Sequence, residues 1–257
     1  MIDLHTHFLP DWDDGAEDWP MVDRMAAVAK ADGISGIALT PHVYRATKHG
    51  KQDGRDLKAR TRAFIEQALS TGIDFFSGSE VYIHPEMIAH IKEFDLTING
   101  SNYVFIEFPA QTLPTSASSL LYQLMLAGIV PIISHPERNA AMAGNPESLY
   151  DLVRQGAVAQ VTAQSITGGF GETAKRAAET FVRHHLVHLI ASDAHNAGDR
   201  APRLAAAVEA AAKWVGRQTA EAMVTTVPAA ILKNEEIPSL GEPQVPEKKG
   251  LRRFFFR

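Results

Sequence analysis

Two histidines near the start of the chain, His5 and His7, follow an apolar, β-branched segment and are two residues apart. Alternate side chains of a strand point to the same side, so both imidazoles are expected to face one metal ion. Asp193 and His195 repeat this spacing after the last segment of the same kind, residues 188–192. One such pair alone is more often two surface residues. Two pairs favour a shared metal site, because a closed barrel brings its first and last strands together.

Further ionisable side chains lie at or just after the ends of the predicted strands between these two pairs, namely His42, Glu80, Glu107 and His135. Any one of them alone would be the ordinary start of a solvated loop. Their succession indicates a cluster of ligands at one end of a parallel sheet. So many nitrogen and oxygen ligands exceed the number that one tetrahedral zinc ion requires. The sequence therefore predicts two or three divalent metal ions, with Glu80 as the candidate bridging carboxylate.

Closely spaced metal ions have a specific use in the hydrolysis of phosphate esters. They hold phosphate oxygens and lower the pKa of a bound water, which then serves as the nucleophile. Arg138, three residues after His135, and Arg200, five residues after His195, are placed to bind those oxygens. Guanidinium groups bind phosphate bidentately and stabilise the charge that develops during transfer. The alternative for either arginine is a surface ion pair, and Arg45 and Arg203 are weaker candidates still.

The composition of the 257-residue chain limits the chemistry further. The chain contains no cysteine, which excludes disulfides, zinc–thiolate sites and a cysteine nucleophile. The available nitrogen and oxygen ligands suit zinc, manganese or iron. A net charge of −5 gives no general reason to bind nucleic acid. The start of the chain lacks the pattern of a signal peptide, and no apolar stretch is long enough to span a bilayer, so we expect a cytoplasmic protein.

Seven short apolar segments are predicted to be strands, at residues 2–6, 36–40, 75–81, 103–108, 130–134, 157–162 and 188–192. Helical spacing of apolar residues separates them, as in residues 21–29 after Pro20 and in residues 120–125 before Gly128. Strands that alternate with helices indicate parallel pairing, and polar residues at the end of nearly every strand favour a barrel over an open sheet.

The other histidines lack strand-end placement and are interpreted as surface or structural residues: His49, His84, His90, His184, His185 and His188.

The composition changes near residue 234, where proline, glutamate, glycine and lysine become frequent. We expect a barrel domain over residues 1–234 and a flexible tail over residues 235–257. Residues 248–257 combine five basic side chains with three phenylalanines. One interpretation is a disordered end whose phenylalanines pack on the domain. The other is contact with an anionic membrane surface or a partner, which would place the protein peripherally at the inner face of the membrane.

Together these residues resemble the polymerase and histidinol phosphatase (PHP) superfamily, and within it the capsule-type bacterial protein-tyrosine phosphatases. The resemblance covers residues 1–233. It is carried by MIDLHTH at 1–7, DDGA at 13–16, TPH at 40–42, GSEV at 78–81, IEFP at 106–109, HPERN at 135–139, TAQS at 162–165, TG at 167–168 and ASDAHN at 191–196. It implies a distorted (β/α)7 barrel, similar to a TIM barrel, with a three-metal site that is often activated by manganese; iron and zinc are alternatives.

The resemblance also implies roles for particular residues. His5, His7, Glu80 and Asp193 would hold one ion, Glu80, Glu107 and His135 a second, and Asp14, His42 and His195 a third. Arg138 and Arg200 match the phosphate-binding arginines of the family. From spacing alone Asp13 is nearly as good a ligand as Asp14, so that choice stays open. Many family members have a second histidine after TPH, where this chain has Val43, a difference that bears on the rim of the substrate pocket.

The implied substrate is phosphotyrosine on a cognate, membrane-associated bacterial tyrosine kinase, which would couple the enzyme to capsular or extracellular polysaccharide synthesis. Phosphatases of small phosphomonoesters, such as histidinol phosphate or a nucleotide, are the nearest alternative. A non-catalytic, metal-stabilised regulatory module is an alternative of another class, although degenerate members would be expected to lose ligands. A nuclease is opposed by the acidic charge and the lack of a basic stripe. The sequence predicts no oligomeric state.

Overall fold

The computed structural model describes residues 1–47 and 50–246. Most of its strands run parallel in one curled sheet, and a short antiparallel hairpin, β4–β5, lies beside it. The strands are β1 (Ile2–Thr6), β2 (Gly36–Leu39), β3 (His42–Val43), β4 (Ala46–Thr47), β5 (Gly50–Lys51), β6 (Asp74–Phe76), β7 (Glu80–Tyr82), β8 (Tyr103–Glu107), β9 (Val130–Ile133), β10 (Val158–Thr162) and β11 (Leu189–Ala191).

The parallel strands form a distorted barrel with seven positions. Its order is β1-β2-β6 in one part of the sheet and β3-β7-β8-β9-β10-β11 in the other. Gly36 pairs with Asp74 and His42 pairs with Glu80, so β2–β3 and β6–β7 are two long strands that keep one register across their breaks. A parallel bridge between Thr6 and Ala194 joins the first position to the last. The predicted TIM-like barrel is confirmed, with the second and third strands each broken in two.

Helices lie between most of the barrel positions along the chain, and α9, α10 and α11 follow the last strand. They are α1 (Trp19–Ala31), α2 (Leu57–Gln67), α3 (Met87–Phe94), α4 (Ala117–Leu126), α5 (Ala140–Gly144), α6 (Glu147–Arg154), α7 (Ala163–Thr167), α8 (Gly171–Arg183), α9 (Ala205–Val215), α10 (Arg217–Ala222) and α11 (Thr226–Leu232). The start of α1 follows from its sequence, because the Asp18 carboxylate accepts a hydrogen bond from Met21 N at 2.8 Å and Pro20 fits the first turn.

Alternate residues of the strands form two apolar layers. Phe105, Ile132 and Val158 belong to the inner cluster, which also includes Val227 and Ile231 of α11. The residues between them on the strands pack instead against the surrounding helices. Each large side chain buried in this way contributes about 1.5–3 kcal/mol relative to an exposed one. Because α11 packs on the barrel interior near the starts of the strands, the opposite, carboxyl end is left for polar side chains.

A bulge in β1 sets the direction of the first histidine pair. Asp3 pairs with Ile37, whereas Thr6 pairs with Leu39, so β1 holds one extra residue between them. Leu4 lies in the inner apolar cluster, and the next residue, His5, also faces the barrel interior, where it contacts Gln160 of β10. Regular alternation would place two successive residues on opposite sides of the sheet. The bulge between Asp3 and Thr6 therefore explains why Leu4 and His5 both face inward.

Residues 235–246 have no regular secondary structure but lie against the barrel. The Tyr103 hydroxyl donates to Glu235 O at 2.9 Å, and Gln244 N donates to His184 O at 2.9 Å. Residues 247–257, which include the whole basic and aromatic end, lie outside the described residues. The domain boundary at residue 234 and the role of the tail therefore stay predictions.

Within residues 1–47 and 50–246, no helix has both the length and the apolar character needed to cross a membrane.

His188, interpreted from the sequence as surface or structural, joins two strands. Its Nδ1 accepts a hydrogen bond from Ala159 N at 3.1 Å, and burial lowers the pKa of the imidazole from 6.5 to about 4. Between these pH values the unfolded chain binds the proton and the folded chain does not, so the free energy of unfolding falls on acidification. We expect the wild-type protein to lose about 2 kcal/mol more than His188→Asn between pH 6.5 and pH 5. Urea unfolding at the two pH values measures the difference, and equal losses would contradict this account.

Candidate metal centre

All nine predicted ligands lie at the carboxyl end of the barrel and form overlapping groups. Within each group, one ligand atom from every residue lies within 4.8 Å of the others. The groups are His5–His7–Asp193, His5–Glu80–His135, His42–Glu80–Glu107 and His7–Asp14–His42–His195. Imidazole and carboxylate ligands at such spacing are able to hold several neighbouring divalent ions.

Glu80 lies at the centre of the cluster. Its Oε2 is 3.3 Å from Nε2 of His5 and 2.9 Å from Nδ1 of His42, while its Oε1 is 3.1 Å from Nε2 of His135. Burial alone would raise the pKa of Glu80, but the charges of His5 and His42 outweigh it and hold the pKa well below the usual range. The two oxygens thus face different imidazoles, which is the arrangement that a bridging carboxylate needs.

Asp193 presents one oxygen to the histidines and the other to the arginines. Its Oδ1 is 3.3 Å from Nε2 of His7 and 3.7 Å from Nε2 of His5. Its Oδ2 accepts hydrogen bonds from Nη2 of Arg200 at 2.5 Å and from Nη1 of Arg138. Asp193 has a left-handed backbone with φ of 53°, a conformation that costs free energy and is concentrated at functional sites. One carboxylate therefore connects the ligand cluster to both arginines.

The two adjacent aspartates, which the sequence could not separate, have different surroundings. The buried Asp13 lies behind His7, with 2.7 Å between its Oδ2 and Nδ1 of the imidazole, and it also accepts from His42 N at 2.9 Å. Asp14 is 40% exposed, and its Oδ1 is 3.4 Å from Nε2 of both His42 and His195. Asp14 therefore lies among the predicted ligand atoms of His42 and His195, whereas Asp13 contacts the opposite nitrogen of the His7 imidazole.

Several residues at the site were missed by the sequence reasoning. Gln160 accepts a hydrogen bond from His135 N at 3.1 Å, and its Oε1 is also 3.1 Å from Nδ1 of His5. The available signal was a polar residue within an otherwise apolar strand. Glu137 is also buried and accepts from the Ser165 hydroxyl at 2.7 Å and from Thr162 N at 3.1 Å. Both residues support neighbouring backbone and side chains from behind the ligands.

The weaker candidates lie in different places. Nη1 of Arg45 is 3.1 Å from Oε1 of Glu107, so Arg45 lies at the mouth of the site. Arg203 instead lines a neighbouring cavity of about 240 Å³ with Gln164 and Ser192. Of the other histidines, His84 and His90 pack around Tyr44. His184 and His185 lie near residues 241–244, and His49 lies outside the described residues.

The buried ligand atoms provide a test of whether metal ions fit here. Among the described residues, seven converging atoms that are shielded from solvent make ion-pair contacts but no hydrogen bond of good geometry: His5 Nε2, His7 Nε2, His42 Nδ1, Glu80 Oε1, Glu80 Oε2, Glu107 Oε2 and His195 Nε2. Leaving one such polar atom unsatisfied costs about 1–3 kcal/mol. Divalent ions would satisfy these atoms and offset the acidic charge, so the donor set fits metal ions.

Gly15 is required by the loop that carries the two aspartates. A Cβ at this position would lie 2.1 Å from His7 O and 2.4 Å from His7 Cβ. We expect Gly15→Ala to lower the free energy of unfolding by about 1–3 kcal/mol and to displace the ligand loop. Urea unfolding and metal content measure the two effects. Gly144→Ala is the matched control, because its Cβ would meet no described atom within 4 Å; equal behaviour of the two variants would refute the steric argument.

The fold and the site together define a class of protein. The distorted parallel barrel, with seven strand positions and the predicted histidine and carboxylate ligands at its carboxyl end, matches the PHP fold. Histidinol phosphate phosphatase from Lactococcus lactis shares it, with a TM-score of 0.54 at 13% identity over 85% of this chain and 93% of that one. At this identity the likeness concerns the fold alone.

The chain belongs to the CpsB/CapC family of capsular polysaccharide synthesis, whose model matches residues 1–233. It is 34% identical to the tyrosine-protein phosphatase YwqE of Bacillus subtilis, over 97% of each chain. It is 27% identical to the tyrosine-protein phosphatase CpsB of Streptococcus pneumoniae, over 92% of this chain and all of that one. One solved structure comes from a study that describes YwqE of Bacillus subtilis and CpsB of Streptococcus pneumoniae as metal-dependent tyrosine phosphatases. It matches this chain with a TM-score of 0.89 at 33% identity, over 97% of this chain and 100% of that chain.

Proposed function

We propose that this chain is a metal-dependent protein-tyrosine phosphatase that hydrolyses phosphotyrosine. The observation that carries the proposal is the position of Asp193, which connects the ligand cluster to Arg138 and Arg200 through one carboxylate. A phosphate group bound by the arginines would therefore lie next to the ions held by the histidines. The similarity to YwqE and CpsB over nearly the whole chain supports the same activity.

We assign the ligands to three neighbouring ions. His5, His7, Glu80 and Asp193 would hold the first, Glu80, Glu107 and His135 the second, and Asp14, His42 and His195 the third. The overlapping groups of side chains support the first and third sets, since His5, His7 and Asp193 form one group and Asp14, His42 and His195 belong to another. For the second set, Glu80 is grouped with His135 and, separately, with Glu107. Bound divalent ions would supply a nucleophilic water at neutral pH and neutralise the charge of the phosphate group.

The residues of the chain would bind and orient the substrate. Arg138 and Arg200 have side chains 27% and 25% exposed, so both remain reachable from the mouth. Each planar guanidinium carries five N–H donors, more than the hydrogen bonds to Asp193 use, so donors are left for phosphate oxygens. Phenolate is a good leaving group, so departure of the tyrosyl oxygen does not demand a dedicated general acid. With no cysteine in the chain, no cysteinyl-phosphate forms.

The finer parts of the proposal concern the metal and the partner. We propose manganese as the ion, as the resemblance to the family implies. Iron and zinc are alternatives, because the nitrogen and oxygen ligands suit all three metals. We propose a membrane-associated bacterial tyrosine kinase as the protein substrate, with control of capsular or extracellular polysaccharide synthesis as the consequence. The description of the family as one of capsular polysaccharide synthesis supports this pathway. The cytoplasmic location and the membrane contact of the tail stay predictions from the sequence.

A substrate panel tests the proposal against its nearest alternative. Phosphate release is measured from a phosphotyrosyl peptide, a phosphoseryl peptide of the same sequence, histidinol phosphate and a nucleoside monophosphate, with manganese present. We expect the highest kcat/KM for the phosphotyrosyl peptide. A preference for histidinol phosphate or the nucleotide would assign the site to a small phosphomonoester. Release from none of them by fully metal-loaded protein would favour the non-catalytic module.

A further inference from the structure

Phe170 has no role in the chemistry proposed above, yet its ring lies against both arginines. The ring centroid is 4.5 Å from Cζ of Arg138 and 5.8 Å from Cζ of Arg200. Arg138 belongs to the turn after β9 and Arg200 to the loop after β11, whereas Phe170 directly precedes α8. One half-buried aromatic ring therefore contacts two cationic side chains that come from separate segments of the barrel mouth.

Glycines fix the segment on which Phe170 lies. Gly168 and Gly171, on either side of it, have φ of 94° and 87°. These left-handed conformations are readily adopted only by glycine. The short segment can therefore turn sharply before and after Phe170, and this directs the ring across the mouth instead of along the helix.

The same segment is connected to the loop of Arg200. A Cβ on Gly169 would lie 2.4 Å from Cγ of Gln164, so the backbone packs directly on that side chain. Gly169 N donates to Gln164 O at 2.8 Å, and Nε2 of Gln164 donates to Asp199 O at 2.7 Å. Asp199 immediately precedes Arg200. These contacts set the distance between the aromatic ring and the second guanidinium group.

The ring attracts the guanidinium groups without using their hydrogen-bond donors. An aromatic face attracts a nearby cation electrostatically, and the attraction increases where water is partly excluded. The planar guanidinium keeps its N–H donors at its edge, where they remain directed at a carboxylate or phosphate. Both arginines donate to Oδ2 of Asp193, so ring and carboxylate fix each guanidinium from two sides.

We propose that Phe170 is a positioning residue that holds Arg138 and Arg200 in the orientation that binds phosphate. The proposal rests on the proposed function only in taking these arginines as the phosphate-binding groups. It concerns the affinity of the site for the phosphate group itself, and it is independent of any contact with the tyrosyl ring.

Equilibrium binding of inorganic phosphate to the manganese-loaded protein tests this inference. The variants are Phe170→Leu, which keeps apolar volume without an aromatic face, and Phe170→Tyr, which keeps the face. We expect Phe170→Leu to raise the Kd of phosphate about 3- to 30-fold, the range of a partly desolvated cation–π contact. Phe170→Tyr should stay near the wild-type value. Metal content and circular dichroism confirm that the variants are loaded and folded, and Phe170→Met replaces Phe170→Leu if the latter does not fold.

Two further measurements separate the competing explanations. KM for a phosphotyrosyl peptide should rise by the same factor as the phosphate Kd, and the effect of Phe170→Leu should shrink in an Arg138→Lys background. An unchanged phosphate Kd would overturn the inference, and a raised KM alone would show contact with the tyrosyl ring instead. Failure of the unsubstituted protein to bind phosphate would overturn it too. If phosphate binding depends on Phe170 but phosphotyrosine is not hydrolysed, the proposed function fails and the positioning role stands.

Discussion

Glu80→Gln is expected to abolish most of the activity while leaving the fold intact. The substitution keeps the shape of the side chain but removes the charge that lies between His5, His42 and His135. An amide oxygen bridges two cations poorly, and the amide nitrogen would direct its N–H donors at the cations. We expect bound manganese to fall and kcat/KM for a phosphotyrosyl peptide to drop on the order of 10³-fold or more.

Metal analysis and steady-state kinetics on the same preparation measure both effects of Glu80→Gln. Glu66→Gln is the control, because Glu66 is 67% exposed and pairs with Arg62 on the surface of α2. That variant should keep full metal content and activity. Retention of both metal and rate in Glu80→Gln would show that Glu80 does not bridge ions.

Arg138→Lys is expected to separate substrate binding from metal binding. Lysine keeps the positive charge but lacks the planar guanidinium that binds phosphate through two N–H groups. The stacking of that guanidinium on the ring of Phe170 is also lost. We expect kcat/KM to fall about 10²- to 10³-fold, as for loss of one charge-stabilising donor in other active sites. The metal content should be unchanged, since the histidine and carboxylate ligands remain.

The contrast between the two variants is informative. Glu80→Gln should lose metal and rate together, whereas Arg138→Lys should lose rate alone and bind inorganic phosphate more weakly. Arg62→Lys on the exposed face of α2 is the matched control and should behave as the wild type. An Arg138→Lys enzyme with unchanged kcat/KM would mean that the arginine forms only its ion pair with Asp193.

The barrel was predictable because its strands and helices alternate regularly along the chain. The breaks in the second and third strands were not predicted, because they depend on local departures from strand geometry at Pro41 and at residues 77–79. The hairpin β4–β5 also escaped prediction. It consists of two-residue strands, too short to produce a periodic apolar pattern.

The convergence of the nine predicted ligands was predictable for a related reason. Parallel strands end at the same edge of the barrel, so ionisable residues after successive strands must meet. The residues that support the ligands were harder to find, because their roles depend on contacts between distant segments. Gln160 contacts His5 across 155 positions of sequence. The different surroundings of Asp13 and Asp14 likewise depend on where the loop turns at Gly15.

Phosphate release from a phosphotyrosyl peptide, measured against bound metal, tests the central claim most directly. The rate is determined for protein with a known metal content, for the same protein after chelation and dialysis, and after manganese is restored. We predict that the rate disappears with the metal and returns with it, while circular dichroism shows a folded chain throughout. A rate that persists in metal-free protein, or no release from fully loaded protein, would contradict the account.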